Sequence, residues 1–160
     1  MAFVRMSSAE VRKFRKALEE RWGVRVSREY WFATSSSGKV FAVSKGVSSI
    51  DVSSLRVSSM GVYVADVSGA EMRLSFDGSM VLASDASKNV VVLSSEQRDA
   101  WMTGADVPMA GLDNGWMVVK SGSDVLGCGF LKDGVLKNYV PKERRIRLAR
   151  ATTPSVDVSE

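Results

Sequence analysis

The β structure of this chain is concentrated in residues 115–141, which read GWMVVKSGSDVLGCGFLKDGVLKNYVP. Apolar runs in this segment are separated first by the turn residues SGSD and then by the pair Asp133-Gly134. Aspartate followed by glycine between apolar runs is typical of a tight hairpin turn, and the proline closes the last run. The segment therefore predicts a meander of three antiparallel strands, at residues 116–120, 125–130 and 135–140.

Upstream of the meander, two capping boxes mark the starts of helices. The motifs SSAE at 7–10 and SSEQ at 94–97 each place a serine three residues before a glutamate or glutamine. In such a box the two side chains bond to each other's backbone amides at the first turn of a helix. The motifs predict one helix over 8–22 and a second of about nine residues, ending at Gly104.

Short strands and a third helix complete the pattern before the meander. A small barrel, twisted or closed, is more economical than an open sheet with bare edges, so we predict an α+β fold with short helices around a barrel. The predicted strands lie at 24–26, 30–33, 40–43, 62–67, 72–76 and 90–93, with a short helix ending at Leu82.

The serine-rich stretch at 45–54 is the best candidate for a domain junction. We place the boundary near residue 50. The prediction is a small α/β leader at 1–50, a larger domain at 51–150 and a flexible tail at 151–160.

Composition excludes several classes of function. The chain has 160 residues, 45% of them hydrophobic and 25% charged, which is ordinary globular composition. It has no histidine and one cysteine, which excludes an internal disulfide, the usual structural zinc sites and histidine-activated nucleophiles. No apolar run is long enough to cross a bilayer and no signal-peptide core is visible, so we expect a cytoplasmic protein with no membrane partner.

The glycines at 127 and 129 flank that cysteine inside a predicted strand. A phosphate-binding glycine loop needs a helix start after it, so we predict no nucleotide and no other cofactor here. Glycines within a strand are more typical of a bulge or of close approach by another backbone. We expect Cys128 to be a small core residue, because no basic neighbour is present to activate it.

Charge is unevenly distributed along the chain. The formal net charge is +4, yet residues 132–150 alone hold seven basic residues against two acidic ones. Clustered Lys and Arg favour a polyanion, most often nucleic acid, although a solvated charged terminus is the alternative. The four tryptophans are expected to pack in the core. Tyr139, inside the basic patch, either stacks on a base or has a structural role.

Four motifs appear in a fixed order: a helix ending with Trp101, Gly104 and Asp106, a glycine-aromatic strand at 115–120, a Gly-x-Gly strand at 126–129, and a Lys-Asn-x-x-Pro close at 137–145. This order resembles the PUA-like RNA-binding region at the carboxyl end of Sun/Fmu-type RNA 5-methylcytosine methyltransferases. It also resembles short archaeal ribosome-biogenesis relatives of that family, in which a small leader precedes the PUA-like domain and no catalytic domain exists.

The resemblance implies a PUA-like β pseudo-barrel after the leader and a non-enzymatic RNA-binding protein of rRNA or tRNA maturation, or of ribosome biogenesis. The catalytic half of the methyltransferases needs a cofactor-binding glycine loop and a Pro-Cys motif, and this chain has no Pro-Cys. We therefore predict no catalytic residues and no metal. The predicted phosphate contacts are Lys132, Lys137, Lys142, Arg144, Arg145 and Arg147, and the predicted base or ribose contacts are Asn138 and Tyr139.

Two alternatives stay open at this point. The chain could deliver RNA as an accessory subunit of an RNA-modifying enzyme such as an RNA methyltransferase. It could also be a protein-interaction factor that contacts ribosomal proteins, with its acidic middle and basic ends as complementary surfaces.

Overall fold

The computed structural model describes residues 3–27, 29–51 and 55–147, and the predicted flexible tail lies outside them. Within these ranges the chain forms three α-helices and two five-stranded sheets, so the fold is α+β as predicted. One of the sheets curls into a half-barrel, which agrees with a PUA-like pseudo-barrel.

Helix α1, Ser8–Trp22, has the predicted bounds. Its capping box is formed, with the Glu10 amide donating to Ser7 Oγ over 3.3 Å and the Ser7 amide donating to the Glu10 carboxylate over 2.7 Å. Phe14, Leu18 and Trp22 recur on one face and are buried. The amphipathic pattern thus places α1 against the core.

The first sheet is wholly antiparallel and its strands follow in chain order. The strands predicted at 30–33, 40–43 and 62–67 are confirmed, with β2 and β3 longer than predicted and β4 shorter by one residue. Its strands are β1 (Phe3–Arg5), β2 (Tyr30–Ser35), β3 (Lys39–Ser44), β4 (Val62–Asp66) and β5 (Arg73–Leu74).

Two strand predictions in the first half were wrong in whole or in part. Residues 24–26 form no strand, because the amide of Val24 bonds back to Leu18 at the end of α1 and its side chain is buried. The strand predicted at 72–76 is cut to β5. Ser75 Oγ accepts a hydrogen bond from the Gly78 amide over 2.8 Å, so the chain turns into helix α2, Phe76–Leu82.

The second sheet contains the predicted meander. Helix α3, Ser95–Met102, begins at its predicted capping box and packs against this sheet. The strand order is β6-β8-β9-β10-β7, and only the β6 and β8 pair is parallel. The strands are β6 (Val90–Val92), β7 (Val107–Pro108), β8 (Gly115–Ser121), β9 (Asp124–Lys132) and β10 (Val135–Lys137).

A β-bulge lies where the glycine pair predicted a bulge or a close approach. Lys120 pairs with Val125 and Val118 pairs with Cys128, so β9 has one extra residue between these pairs. Gly127 provides it with φ +111°, and a Cβ there would lie 2.8 Å from the Phe76 ring. The bulge thus lets α2 pack closely against β9.

The two sheets share one continuous interior. A first cluster joins α1 and the first sheet to Val118 and Cys128 of the second sheet, and Trp22 Nε1 donates to the carbonyl of Trp116 over 3.2 Å. A second cluster lies on the opposite face of the second sheet, around Trp101 of α3. Each face of the second sheet is therefore covered in part by a different helix.

The predicted division at residue 50 stays a prediction. Pairing of β3 with β4 carries backbone hydrogen bonds across that position. No helix in the described ranges has the length and apolar character needed to cross a membrane.

Candidate nucleic-acid interface

The segment that follows β10 is fixed by the side chain of Asn138. Its Nδ2 donates to the carbonyls of Trp101 and Ala105 over 2.8 and 2.9 Å, and its Oδ1 accepts from the Val140 amide over 2.9 Å. An amide side chain has two N–H donors, and both are used here. The structure therefore places Asn138 as a bridge between the end of α3 and the segment after β10, with its polar atoms turned inward.

Asp106 completes this junction and ends β10. It accepts a hydrogen bond from the Asn138 amide over 2.8 Å and from Lys137 Nζ over 3.0 Å. Because the Asn138 amide is withdrawn from the sheet, β10 stops at Lys137 and the strand predicted at 135–140 is shorter than expected. The Asn138 N–H and the Lys137 ammonium both hold the pKa of Asp106 below its ordinary value.

Three of the six predicted phosphate contacts are exposed cations without a side-chain partner among the described residues. Lys132 lies at the turn end of β9, while Lys142 and Arg147 lie in the segment after Pro141. An ammonium or guanidinium without a carboxylate partner can neutralise a phosphate without first breaking an internal ion pair.

The other three predicted cations have internal partners. Lys137 pairs with Asp106 over 3.0 Å, and Arg144 pairs with Asp77 of α2 over 2.9 Å. Both pairs are about half exposed, so they add little stability and can open for a ligand. Lys137 and Arg144 can therefore contact a phosphate only after their ion pairs open, whereas Lys132 has no such pair to break among the described residues.

Arg145 is held most firmly. Its Nε donates to the carbonyl of Val140 over 3.1 Å, and its side chain lies against Gly104, where a Cβ would be 2.5 Å from Nε. The next residue, Ile146, donates its amide to the carbonyl of Met102 over 2.9 Å. This stretch is therefore attached along the end of α3, and part of Arg145 serves that attachment.

Tyr139 lies in the same stretch of chain as Lys137 and Lys142 and is 48% exposed. Its ring contacts Trp116 edge to face, with centroids 4.9 Å apart, and Trp116 contacts Phe130 in the same way at 5.1 Å. Cross-strand pairs place Trp116, Phe130 and Lys137 on one face of the second sheet. Aromatic rings and a cation that share one face, with Tyr139 exposed next to Trp116, form a suitable platform for nucleobases.

Trp116 and Phe130 were missed as candidate site residues. Trp22 and Trp101 are fully buried as predicted, whereas Trp31 is only partly buried and Trp116 is partly buried at the edge of the first cluster. Alternation along β8 and β9 is the signal that could have found the pair, since partners across a hairpin share a face. The alternation identifies this pair only if the bulge at Gly127 is included, because the bulge shifts the register of β9 by one residue.

The second sheet and the segment after it match a known protein family. Residues 88–146 match the family described as the methyltransferase RsmF PUA domain. Residues 88–146 are a PUA-like region. No curated protein matches the chain.

The PUA-like region begins just before β6 and ends within the segment attached to α3, so it includes the whole second sheet and seven of the eight predicted contacts. The matched family is an RNA-binding domain and not a catalytic one, which indicates RNA binding by this region. Arg147 lies one residue beyond the match.

The remaining sequence candidate for chemistry is the lone cysteine, Cys128. Cys128 is buried, and burial raises the pKa of its thiol to about 12, so it is a core residue as predicted. Among the described residues, no three Cys, Asp or Glu side chains are grouped closely enough to hold a metal ion.

Proposed function

We propose that this protein is a non-enzymatic RNA-binding protein of rRNA or tRNA maturation or ribosome biogenesis, acting through the PUA-like region. Lys132, Lys142 and Arg147 hold phosphates directly, and Lys137 and Arg144 join them when their ion pairs open. Tyr139 contacts a base or ribose. Asn138 and Arg145 shape and fix this surface through their internal hydrogen bonds.

The observation that carries the proposal is that Tyr139, an exposed aromatic ring, and Lys142, an exposed cation without a side-chain partner among the described residues, lie on one segment. Lys142 follows Tyr139 by three residues, and both belong to the segment that Asn138 and Arg145 hold in place. Backbone contacts position a nucleic acid, and stacking adds affinity. A solvated charged terminus would not need such a fixed geometry.

A salt series tests the proposal. The variant Lys132→Ala/Lys142→Ala/Arg147→Ala removes three cations that have no side-chain partner in the described part of the chain, so its fold is expected to be intact. Binding of purified protein to structured rRNA and tRNA fragments is measured at increasing salt. Loss of three phosphate contacts reduces the magnitude of the negative slope of log K against log salt by about 2–3.

The matched control is Arg12→Ala/Lys13→Ala/Arg56→Ala, which removes the same charge from exposed positions outside the PUA-like region. We expect the control to keep nearly the wild-type slope. Equal slopes for the wild type and the first triple variant would contradict the proposed interface.

Two alternative roles are tested with the same purified protein. An accessory role predicts that the chain raises methyl incorporation into RNA by a separate methyltransferase and incorporates none alone. A protein-interaction role predicts retention on ribosomal proteins after nuclease treatment.

A further inference from the structure

A cleft of about 330 Å³ opens between the first sheet and the PUA-like region. Its lining includes Tyr63 of β4 and Arg73 of β5 from the first sheet, Phe76 of α2, and Trp116 and Tyr139 from the PUA-like region. The cleft is thus built by both halves of the chain, and only part of its lining belongs to the segment that matched the family.

The walls carry flat rings and fixed polar groups. The Arg73 guanidinium lies over the Trp116 ring, 5.8 Å from its centroid, and pairs with Asp66 over 3.3 Å. Burial raises the pKa of Tyr63 above its ordinary value, and its hydroxyl, like any tyrosine hydroxyl at neutral pH, is a hydrogen-bond donor. These groups offer hydrogen-bond donors next to aromatic surface.

The charges around the cleft favour a neutral ligand over a phosphate. Arg73 is already paired with Asp66, and Glu143 adds a carboxylate at the rim. That carboxylate repels an anion but accepts hydrogen bonds from amino and imino groups. Lys142, next to Glu143 in the chain, is exposed without a side-chain partner in the described ranges and suits a phosphate beside the cleft.

We propose that this cleft binds one unstacked nucleobase of a single-stranded RNA, with the adjoining phosphate on Lys142. The inference rests on the proposed function and adds residues of the first sheet to the RNA site. The base lies against Tyr139 and Trp116, Arg73 and Tyr63 donate to its acceptors, and Glu143 accepts from its donors. Paired bases in a duplex do not expose the ring face that this arrangement uses.

The test uses a single-stranded RNA decamer of mixed sequence and ten derivatives, each with one base removed but the backbone intact. Affinities are measured for the wild type and for Tyr139→Ala, with Tyr139→Phe as the variant that keeps the ring. Leu112→Ala is the matched control, because Leu112 is 47% exposed and lies outside the cleft.

We expect the wild type and Tyr139→Phe to lose about tenfold in affinity when one particular base is absent, as is typical of a stacked base. Tyr139→Ala should bind the intact decamer about tenfold more weakly and be insensitive to that same base. The Leu112→Ala control should behave as the wild type.

Three outcomes overturn the inference. If base removal weakens the wild type and Tyr139→Ala equally, the base is not in the cleft, while the RNA-binding proposal survives. If removal of no single base lowers the affinity of the wild type, while binding still depends on salt, the inference fails and the RNA-binding proposal survives. If the wild type binds no RNA at low salt, the proposed function fails together with the inference.

Discussion

The side-chain amide of Asn138 donates a hydrogen bond to the carbonyl of Trp101 at the end of α3, 2.8 Å away and 37 residues earlier in the chain. Trp101 in turn is fully buried, and its Nε1 donates to the carbonyl of Leu126 over 2.8 Å. One chain of contacts therefore runs from the surface segment through α3 to strand β9. The geometry of the candidate interface depends on that interior connection.

Asn138→Ala is expected to destabilise the protein whether or not RNA is present. The change removes the side-chain donor from the carbonyls of Trp101 and Ala105 and the acceptor from the Val140 amide, although the Trp101 carbonyl keeps the Gly104 amide as a donor. We expect the free energy of unfolding to fall by about 1–3 kcal/mol. Urea denaturation measures this value. Asn114→Ala is the control, since within the described ranges the Asn114 side chain bonds to the exposed Asp133 and to no buried group. An unchanged urea midpoint for Asn138→Ala would contradict the role assigned to its amide.

Gly129→Ala should destabilise more than Gly122→Ala, although Gly129 has an ordinary backbone conformation. A Cβ at Gly129 would lie 2.7 Å from the Trp101 ring and 2.9 Å from the carbonyl of Lys137, so overpacking should remove about 2–3 kcal/mol. Gly122, at φ +59°, has open space, and only backbone strain of about 1 kcal/mol applies. Thermal denaturation measures the stability of the two variants. A lower Tm for Gly122→Ala than for Gly129→Ala would refute the packing explanation.

Asp106→Asn should reduce stability at neutral pH and have little effect in acid. The folded protein lowers the pKa of Asp106, so its stabilising contribution is complete above the unfolded value of about 3.9. That contribution is lost as pH falls through the folded pKa. Urea midpoints from pH 2 to 7 should therefore converge for wild type and variant at the acid end.

The control for that pH series is Asp113→Asn, which changes an exposed carboxylate with no side-chain partner in the described ranges. Its effect should be small across the series. A constant offset between wild type and Asp106→Asn at all pH values would show that the carboxylate charge is not what stabilises the junction.

Cys128 should resist alkylation until the protein unfolds. A thiol with a pKa of about 12 has very little thiolate at pH 8, and this side chain is only 4% exposed. Iodoacetamide labelling followed by mass spectrometry should be at least about a hundredfold slower in buffer than in denaturant. Rapid stoichiometric labelling of the native protein would contradict the placement of Cys128 in the core.

Sequence patterns predicted the local elements well where a short motif determines the geometry. The boxes at Ser7 and Ser94 give the helix starts, because serine and its partner three residues on satisfy the same backbone groups in any context. The turn at Asp133-Gly134 gives the last hairpin for a similar reason. The end of β10 was not predictable, since it depends on Asp106, which lies 32 residues before Asn138.

The candidate site was predicted as a list of cations rather than as a surface. Clustered charge in the sequence identified Lys132 and Lys142, but their freedom from ion pairs depends on where distant carboxylates lie. Asp77 of α2, for example, pairs with Arg144. Arg73 lies more than 40 residues from Trp116 in the chain. It contacts the Trp116 ring only because the first sheet packs against the second, so no sequence pattern indicates that it belongs to the site.

The extra residue in β9 decides which side chains meet across the hairpin with β8. Counting back from the turn without it would set Trp116 opposite Gly129, whereas the bulge sets it opposite Phe130. Deleting one residue there would reverse the inside and outside of the remainder of the strand, removing Phe130 from the aromatic face and sending Leu131 out of the core. Natural length variation in this hairpin should therefore be confined to its turns, because a single-residue change in the strand would alter binding surface and interior together.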